Sequence, residues 1–247
     1  MDNWNDIPED FLQAPSRPRS KKSPRSSKAV TPIPSRVPTP VTVPVQKPSL
    51  QLLFALRPLP PNVELAPLTQ DLLPSFKRLN DVTLPVAYPD SFYKETMTEP
   101  HNSLTLVALW HPAPLQPSTN GDTPIDPPQL VGAIRCRIFP ASCLYICTFG
   151  ILAPYRSHGI AMHLLHAVTR KALKLHGVRS ISAHVWEANE EGLEWYKKRK
   201  FDVLGMEEDY YRKLRPAGAH VVAKRIGVVD LLGGASAEGW TADGSVG

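Results

Sequence analysis

Three runs of alternating or mostly apolar residues follow one another in the middle of the chain and predict three consecutive strands. They span Leu104–Trp110, Leu130–Phe139 and Leu144–Gly150, and the second run alternates apolar with basic residues. The period then changes, because apolar residues recur on one face of a predicted helix from Ile160 to Leu175. Gly177 follows as a typical stop signal.

Shorter patterns on either side complete the predicted domain. Before the three strands, the sequence predicts a strand at Val63–Leu65, a helix at Thr69–Asn80 with Pro74 in its first turn, a loop at Leu84–Pro89 and a short helix at Ser91–Met97. After the long helix, it predicts a strand at Val178–Val185, a helix at Asn189–Lys198 and further strands at Phe201–Leu204, Asp209–Leu214 and Ala219–Lys224. One mixed sheet flanked by helices, an α+β class, accommodates this order.

Composition divides the chain into three parts. The first 60 of its 247 residues hold 12 of the 27 prolines, so residues 1–61 are predicted to be a disordered, basic extension. Residues 62–226 are predicted to form one domain, with a polar, Pro-rich insertion at 111–129, and residues 227–247 a flexible Gly-rich tail.

The distribution of charge and the spacing of the cysteines limit the classes of function that the chain can have. The net charge of +5 equals the excess of basic over acidic residues in the first 60, and it is densest in Arg17–Lys28. Such a tail contacts RNA or a ribosome in some proteins and is a solvated linker in more of them. No apolar run approaches the ~20 residues of a membrane span, and the three cysteines lack metal-site spacing. With no signal peptide apparent, we expect a protein that binds neither a metal nor a membrane and that is located in the cytoplasm or the nucleus.

The segment from Gly150 to Ala161 carries the most specific chemistry. Here a predicted strand passes through Arg156-x-x-Gly159-x-Ala161 into the long helix. The first N–H groups of a helix lack partners inside it, and the helix dipole places partial positive charge there. A strand, a small-residue turn and an uncovered helix start therefore favour binding of a pyrophosphate.

Several motifs in fixed order resemble one known family. They are Lys77–Asn80, Leu84–Tyr88, Leu144–Arg156, His184-Val-x-x-x-Asn189 and Tyr210-Tyr211. Together with the turn, they resemble the GNAT (GCN5-related N-acetyltransferase) superfamily and, within it, the San-type N-terminal acetyltransferases, the catalytic subunits of NatE. The resemblance covers residues 62–226 and implies the GNAT fold, with acetyl-CoA as co-substrate and protein α-amino groups as acceptors.

The resemblance assigns roles residue by residue. Tyr145 and His184 are implied as catalytic, His184 because it titrates near neutrality and Tyr145 as an ordering or relay group. From the sequence alone, a satisfied sheet histidine and a core tyrosine are the alternatives. The implied cofactor residues are Phe149, Gly150, Ile151, Arg156, Ser157, His158, Gly159, Ile160, Ala161, Asn189 and Tyr196. Asn189 is equally suited to capping the following helix.

The implied substrate site lies between two loops. Its residues are Leu84, Pro85, Val86, Tyr88, Cys147, Tyr210, Tyr211 and Leu214. Its apolar cup favours an N-terminal methionine, retained before a hydrophobic residue. Three departures from the family pattern stand out: Leu84 replaces an aromatic residue, Ser157-His158 replaces a more basic pair, and Lys200-Phe201 lacks a preceding glycine.

Two alternatives to an active N-α-acetyltransferase stay open. One is a weakly active or non-catalytic subunit that docks on the ribosome-associated NatA complex, and the other is a lysine acetyltransferase. The expected partners are nascent protein N-termini and the NatA catalytic and auxiliary subunits, with ribosome or RNA contact through the basic tail.

Overall fold

A computed structural model describes residues 56–112, 127–227 and 230 of the chain. The predictions for residues 1–55, for 113–126 of the insertion and for nearly all of the C-terminal tail lie outside these residues. The seven strands are β1 (Val63–Pro67), β2 (Thr105–Trp110), β3 (Gln129–Phe139), β4 (Cys143–Ile151), β5 (Ser180–Trp186), β6 (Asp202–Glu207) and β7 (Ala219–Arg225). The four α-helices are α1 (Leu73–Thr83), α2 (Asp90–Thr96), α3 (Ile160–His176) and α4 (Glu190–Lys197).

The strands form one sheet in the order β1-β2-β3-β4-β5-β7-β6. Neighbouring strands are antiparallel except β4 and β5, which run parallel because α3 carries the chain back across the sheet between them. This mixed sheet with flanking helices confirms the predicted α+β class.

The parallel pair separates partway along its length. The β4–β5 register runs from Cys143 opposite Ser180 to Ile146 opposite Ala183. Both strands continue beyond it, β4 as far as Ile151 and β5 as far as Trp186. This divergence leaves an opening in the centre of the sheet, with backbone groups of both strands along its edges.

Each face of the sheet carries its own hydrophobic cluster. On one face, α3 packs Ile160, Leu164 and Val168 against strand residues such as Ile134 and Leu144. On the other face, α1 and α2 contribute Phe76, Leu79, Phe92 and Tyr93, which pack against Val107, Leu109 and Ala133. The alternation of side chains along each strand supplies both clusters from the same strands.

The beginning of α1 differs from the prediction. The helix begins at Leu73 rather than Thr69 and extends to Thr83. Pro74 lies within its first two positions, where the missing N–H would have no partner in any case. The end of α1 lies tightly against β4, because a Cβ atom added to Gly150 would lie 2.4 Å from Thr83 Oγ1.

The predicted strand at Asp209–Leu214 is wrong. These residues form the loop that joins β6 to β7, closed by a hydrogen bond of 2.8 Å from the Tyr211 N–H to the Ala217 carbonyl. Tyr210 and Tyr211 are both partly buried, with their rings 4.7 Å apart. Consecutive residues of a strand point to opposite faces, so two neighbouring side chains turned toward one site require a loop.

Among the described residues, no helix is long and apolar enough to cross a membrane. Nor does the same part of the chain bring three or more His, Cys, Asp or Glu side chains together as a metal site. Cys136, Cys143 and Cys147 are free thiols.

Candidate active site

A cavity of about 600 Å³ occupies the opening between β4 and β5. Most residues of the predicted site line it: Leu84, Pro85, Val86, Tyr88, Cys147, Phe149, Gly150, Ile151, Arg156, Ser157, Gly159, Ile160, Ala161, His184, Asn189, Tyr196 and Tyr211. Four predicted residues, Tyr145, His158, Tyr210 and Leu214, are not among the lining residues. Tyr145 and Tyr210 contact the His184 ring, whereas Leu214 and His158 lie apart from the lining residues.

The turn before α3 forms an anion site without any side-chain cap. Gly159 adopts a left-handed conformation with φ of 84°, which L-residues with a side chain rarely adopt. Its carbonyl accepts the N–H groups of Met162 and His163, at 3.0 and 3.2 Å. No side chain caps the start of this 17-residue helix, and its first residues, Ile160 and Ala161, line the cavity together with Gly159. The turn therefore fits a phosphate group.

The side chains of the turn add little free positive charge. The Arg156 guanidinium donates from Nε to the Ile151 carbonyl at 3.3 Å and pairs with Glu191 Oε2 at 3.5 Å. The His158 ring lies edge-on against Trp110, 5.7 Å between ring centroids, and its Nδ1 lies 2.8 Å from the Arg156 carbonyl oxygen.

Two arginines from elsewhere in the chain line the same cavity, and the sequence analysis missed both. Arg57 precedes β1, and its carbonyl oxygen lies 2.6 Å from Nε2 of His163 on α3. Arg199 follows α4 and places its guanidinium 3.9 Å from the centre of the Trp195 ring. These side chains supply positive charge that the turn sequence lacks.

Helix α4 contributes the remaining wall. Asn189 caps it, because its Oδ1 accepts the Gly192 N–H at 2.9 Å, and Asn189 also lines the cavity. The two roles proposed for this residue are thus compatible. Tyr196 is almost fully buried beside the cavity, and burial raises the pKa of its hydroxyl, which stays protonated at neutral pH.

A polar cluster lies at the inner end of the cavity, on the face that carries α1 and α2. The Tyr145 hydroxyl lies 3.2 Å from His184 Nδ1 and 2.8 Å from the Tyr210 hydroxyl. The Tyr210 ring stacks on the His184 ring with centroids 4.0 Å apart and planes 7° apart. On the other side of the imidazole, Nε2 lies 3.1 Å from Glu207 Oε2, a contact that sequence reasoning missed.

Burial sets the protonation states in this cluster. It lowers the pKa of His184 to about 4, so the ring is neutral at neutral pH and is a weaker proton acceptor than the expected titration near neutrality implied. It raises the pKa of Tyr145 well above its usual value and that of Tyr210 to about 12, so both hydroxyls keep their protons. Tyr145 can therefore pass a proton on but is not a free base.

The predicted acceptor loops meet at the same end. The Tyr88 hydroxyl donates to the Cys147 carbonyl at 3.2 Å, and the Tyr88 ring packs on Phe92 with centroids 4.3 Å apart. Leu84, Pro85 and Val86 present apolar surface to the cavity. An apolar cup next to a neutral imidazole suits an amine attached to an apolar side chain.

Three features occur together: the turn before α3 that fits a phosphate, the diverging parallel strands β4 and β5, and the buried, neutral His184. They are typical of a transferase that uses a phosphate-bearing carrier and an amine acceptor. A model of the acetyltransferase (GNAT) family matches residues 74–201, which is half of the chain. The chain belongs to this family. The predicted superfamily and fold, and acetyl transfer as the activity, are thereby confirmed.

Similar proteins narrow the comparison within the family. N-alpha-acetyltransferase 50 of Danio rerio is 32% identical over 167 residues, 66% of this chain and 89% of that protein. The probable N-acetyltransferase san of Drosophila melanogaster is 32% identical over 168 residues, 67% of this chain and 82% of that protein. The structure of Arabidopsis thaliana Naa50 with the bisubstrate analogue CoA-Ac-MVNAL aligns with a TM-score of 0.54 at 30% identity, covering 66% of this chain and 98% of that one. The San-type resemblance is thus confirmed.

Proposed function

We propose that the chain transfers acetyl from acetyl-CoA to the N-terminal amine of proteins that retain methionine before a hydrophobic residue. The observation that carries the proposal is the opening between β4 and β5. It joins an anion-binding turn on the α3 face to a neutral, buried histidine on the α1–α2 face. Donor and acceptor can therefore approach from opposite faces and meet inside the sheet.

The end of the cavity next to the turn before α3, here called the carrier side, suits acetyl-CoA. This co-substrate supplies an acetyl thioester and a pyrophosphate. The N–H groups of Gly159, Ile160 and Ala161 would hold the pyrophosphate, and Arg57 and Arg199 would add positive charge. The edge of Phe149–Ile151 that faces away from β3, beyond the end of the β4–β5 register, would bind the extended part of the molecule. The rings of Phe149 and Trp195, 5.4 Å apart, border this path.

The acceptor side must remove one proton. An α-amine has a pKa of about 8 and is mostly protonated at neutral pH. Because His184 is neutral and linked to the Tyr145 hydroxyl, the ammonium proton would pass to Tyr145, whose own proton would move to His184 Nδ1. The neutral amine would then attack the acetyl carbonyl: an N–C bond forms, the C–S bond of the thioester breaks, and the second amine proton goes to the sulfur, so that CoA leaves as a thiol. Aligning the two reactants in one cavity contributes further to the rate.

The acceptor end favours methionine at the first position. Leu84 and Val86 offer an apolar wall to a long unbranched side chain, and Tyr211 lies across from them. The methionine that begins the peptide of the Arabidopsis Naa50 analogue supports the same choice. A lysine side chain ends in its amine and has no apolar side chain beside that amine to fill the cup, which makes lysine acetylation the weaker alternative.

The direct test is acetylation of a panel of peptides that differ only in their first two residues, with radiolabelled acetyl-CoA. We expect Met-Leu and similar peptides to lead. The variant His184→Ala should reduce kcat at least ~100-fold with little change in the KM for acetyl-CoA. Wild-type protein that binds CoA but transfers no acetyl above the enzyme-free rate would contradict the proposal and favour a docking role.

The partner predictions rest on other parts of the chain. Contact with the ribosome or RNA was expected from Arg17–Lys28, which lies outside the described residues. Association with the NatA catalytic and auxiliary subunits, and a cytoplasmic location extending to the nucleus, stay predictions.

A further inference from the structure

Glu207 contacts His184 on the ring nitrogen opposite to the one that faces the Tyr145 hydroxyl. It ends strand β6 and its Oε2 lies 3.1 Å from His184 Nε2, so both nitrogens of the buried ring are engaged. The His184 side chain is 1% exposed and the Glu207 side chain 30% exposed. The carboxylate thus connects a fully enclosed imidazole to the protein surface.

The hydrogen-bond pattern fixes a direction along this chain of groups. A carboxylate has no proton to give, so Nε2 must carry the proton and donate it to Glu207. Nδ1 is then an acceptor, and the Tyr145 hydroxyl donates to it at 3.2 Å. The Tyr145 oxygen in turn accepts from Tyr210, at 2.8 Å. Every hydroxyl of the cluster points its proton toward His184.

The groups that surround the His184 ring come from several elements. Tyr145 comes from β4, Tyr210 from the β6–β7 loop and Glu207 from β6, while β7 places Val221 opposite His184 in the register. Arg137 on β3 lies 5.4 Å above the Tyr145 ring rather than against the imidazole. Glu207 is therefore the acidic group among the described residues that touches His184.

We propose that Glu207 is the positioning residue of the site: it holds His184 in the Nε2–H tautomer and partners the imidazolium formed when Nδ1 accepts a proton. The inference rests on the proposed function. In the step, an N–H bond of the ammonium breaks and an N–H bond forms at Nδ1 by way of the Tyr145 hydroxyl. The positive charge moves from the amine to the ring, next to the carboxylate. The ring then returns the Nδ1 proton to water by way of the Tyr145 hydroxyl, which restores the Nε2–H tautomer next to Glu207.

A buried imidazole needs such a partner. Burial alone makes the protonated ring unfavourable, since it lowers the pKa of His184 to about 4. A carboxylate oxygen 3.1 Å from Nε2 attracts the positive charge of the ring once the proton arrives, and so favours the protonated form that burial disfavours. The arrangement follows the physical logic of a carboxylate behind a catalytic histidine, which orients the ring and stabilises its charged form.

The test combines a measurement without turnover and one with it. In ¹⁵N-histidine-labelled protein, with the His184 signals assigned by their loss in His184→Gln, we expect the Nε2–H tautomer. Glu207→Leu should redistribute the tautomers and lower kcat at least ~10-fold, with the KM for acetyl-CoA unchanged. Glu208→Leu removes the neighbouring, exposed carboxylate and serves as the matched control, with wild-type values expected for both measurements.

Two results would overturn the inference. One is an Nδ1–H tautomer in the wild-type protein, and the other is a folded Glu207→Leu variant with wild-type kcat and tautomer. The wild-type spectrum decides the first point even if the variant does not fold. Absence of wild-type turnover would instead remove the proposed function, and the spectra would still decide the role of Glu207 in setting the tautomer.

Discussion

At the scale of residues, one histidine is deeply buried and yet has a partner for each of its ring nitrogens. His184 is almost completely enclosed, yet both of its ring nitrogens have partners, so it is neutral without being unsatisfied. The sequence could indicate this residue through its motif. It could not indicate Glu207, because the contact joins positions 23 residues apart through the register of β5, β7 and β6. A single carboxylate at a strand end carries no local pattern.

The lowered pKa of His184 predicts a loss of stability in acid. The unfolded chain takes up a proton near pH 6.5, whereas the folded site takes it up only near pH 4. The unfolded state therefore binds more protons in this window, and the free energy of unfolding falls as the pH drops from about 6.5 to 4. The loss attributable to His184 is on the order of 3 kcal/mol.

Urea unfolding at several pH values in that window measures this loss. His184→Gln should show a smaller decrease in stability than wild type, and His176→Gln, which changes an exposed histidine, should follow the wild-type curve. Burial raises the pKa of Glu207, so its contribution to the free energy of unfolding has the opposite sign: the contribution is present at low pH and is lost as the pH rises. Parallel curves for wild type and His184→Gln would refute the assignment.

At the scale of elements, periodicity predicted the central strands and α3 well, because each buries a regular stripe against the sheet. It failed at Asp209–Leu214, where two adjacent tyrosines turn to the same site, and at the start of α1, where Pro74 marks the true first turn. The residues of the phosphate turn could be identified from sequence because they are contiguous. Arg57 could not, since it lies in a segment whose composition suggests disorder.

Helix α3 provides a matched pair of glycines for testing the turn. Gly159 and Gly177 flank it, both with positive φ, 84° and 62°. Alanine at either position should reduce the free energy of unfolding by a similar amount, roughly 1–2 kcal/mol. Only Gly159→Ala should also weaken CoA binding, because only Gly159 lines the cavity. Calorimetric titration with CoA would separate the two, and equal CoA affinities would argue against the turn as the phosphate site.

At the scale of the whole molecule, a segment before the first strand belongs to the carrier site. The described lining residues extend from Leu56 to Tyr211, and Leu59 packs against the core next to Arg57. The family match begins only at residue 74. The domain boundary inferred from composition at residue 62 therefore separates Arg57 from the cavity that it lines.

Two deletions that differ by six residues test this arrangement. Removal of residues 1–55 should leave the Kd for CoA at the wild-type value, whereas removal of residues 1–61 should raise it about tenfold, because a charged hydrogen-bond donor to phosphate is lost. Arg57→Gln should reproduce most of the effect in the full chain, and Arg78→Gln, an exposed arginine on α1, should not. Equal affinity for the two deletions would exclude Arg57 from carrier binding.

The insertion of β7 between β5 and β6 has a consequence for how the protein is made. Strand β5 carries His184. Among the described residues, the β5 edge that faces away from β4 pairs with β7 alone, at residues 219–225. Strand β6, which carries Glu207, joins the sheet through β7 as well. During synthesis the histidine and its carboxylate thus remain apart until nearly the entire domain has left the ribosome. Strand β7, the last strand in the part of the chain that the structure describes, completes the site.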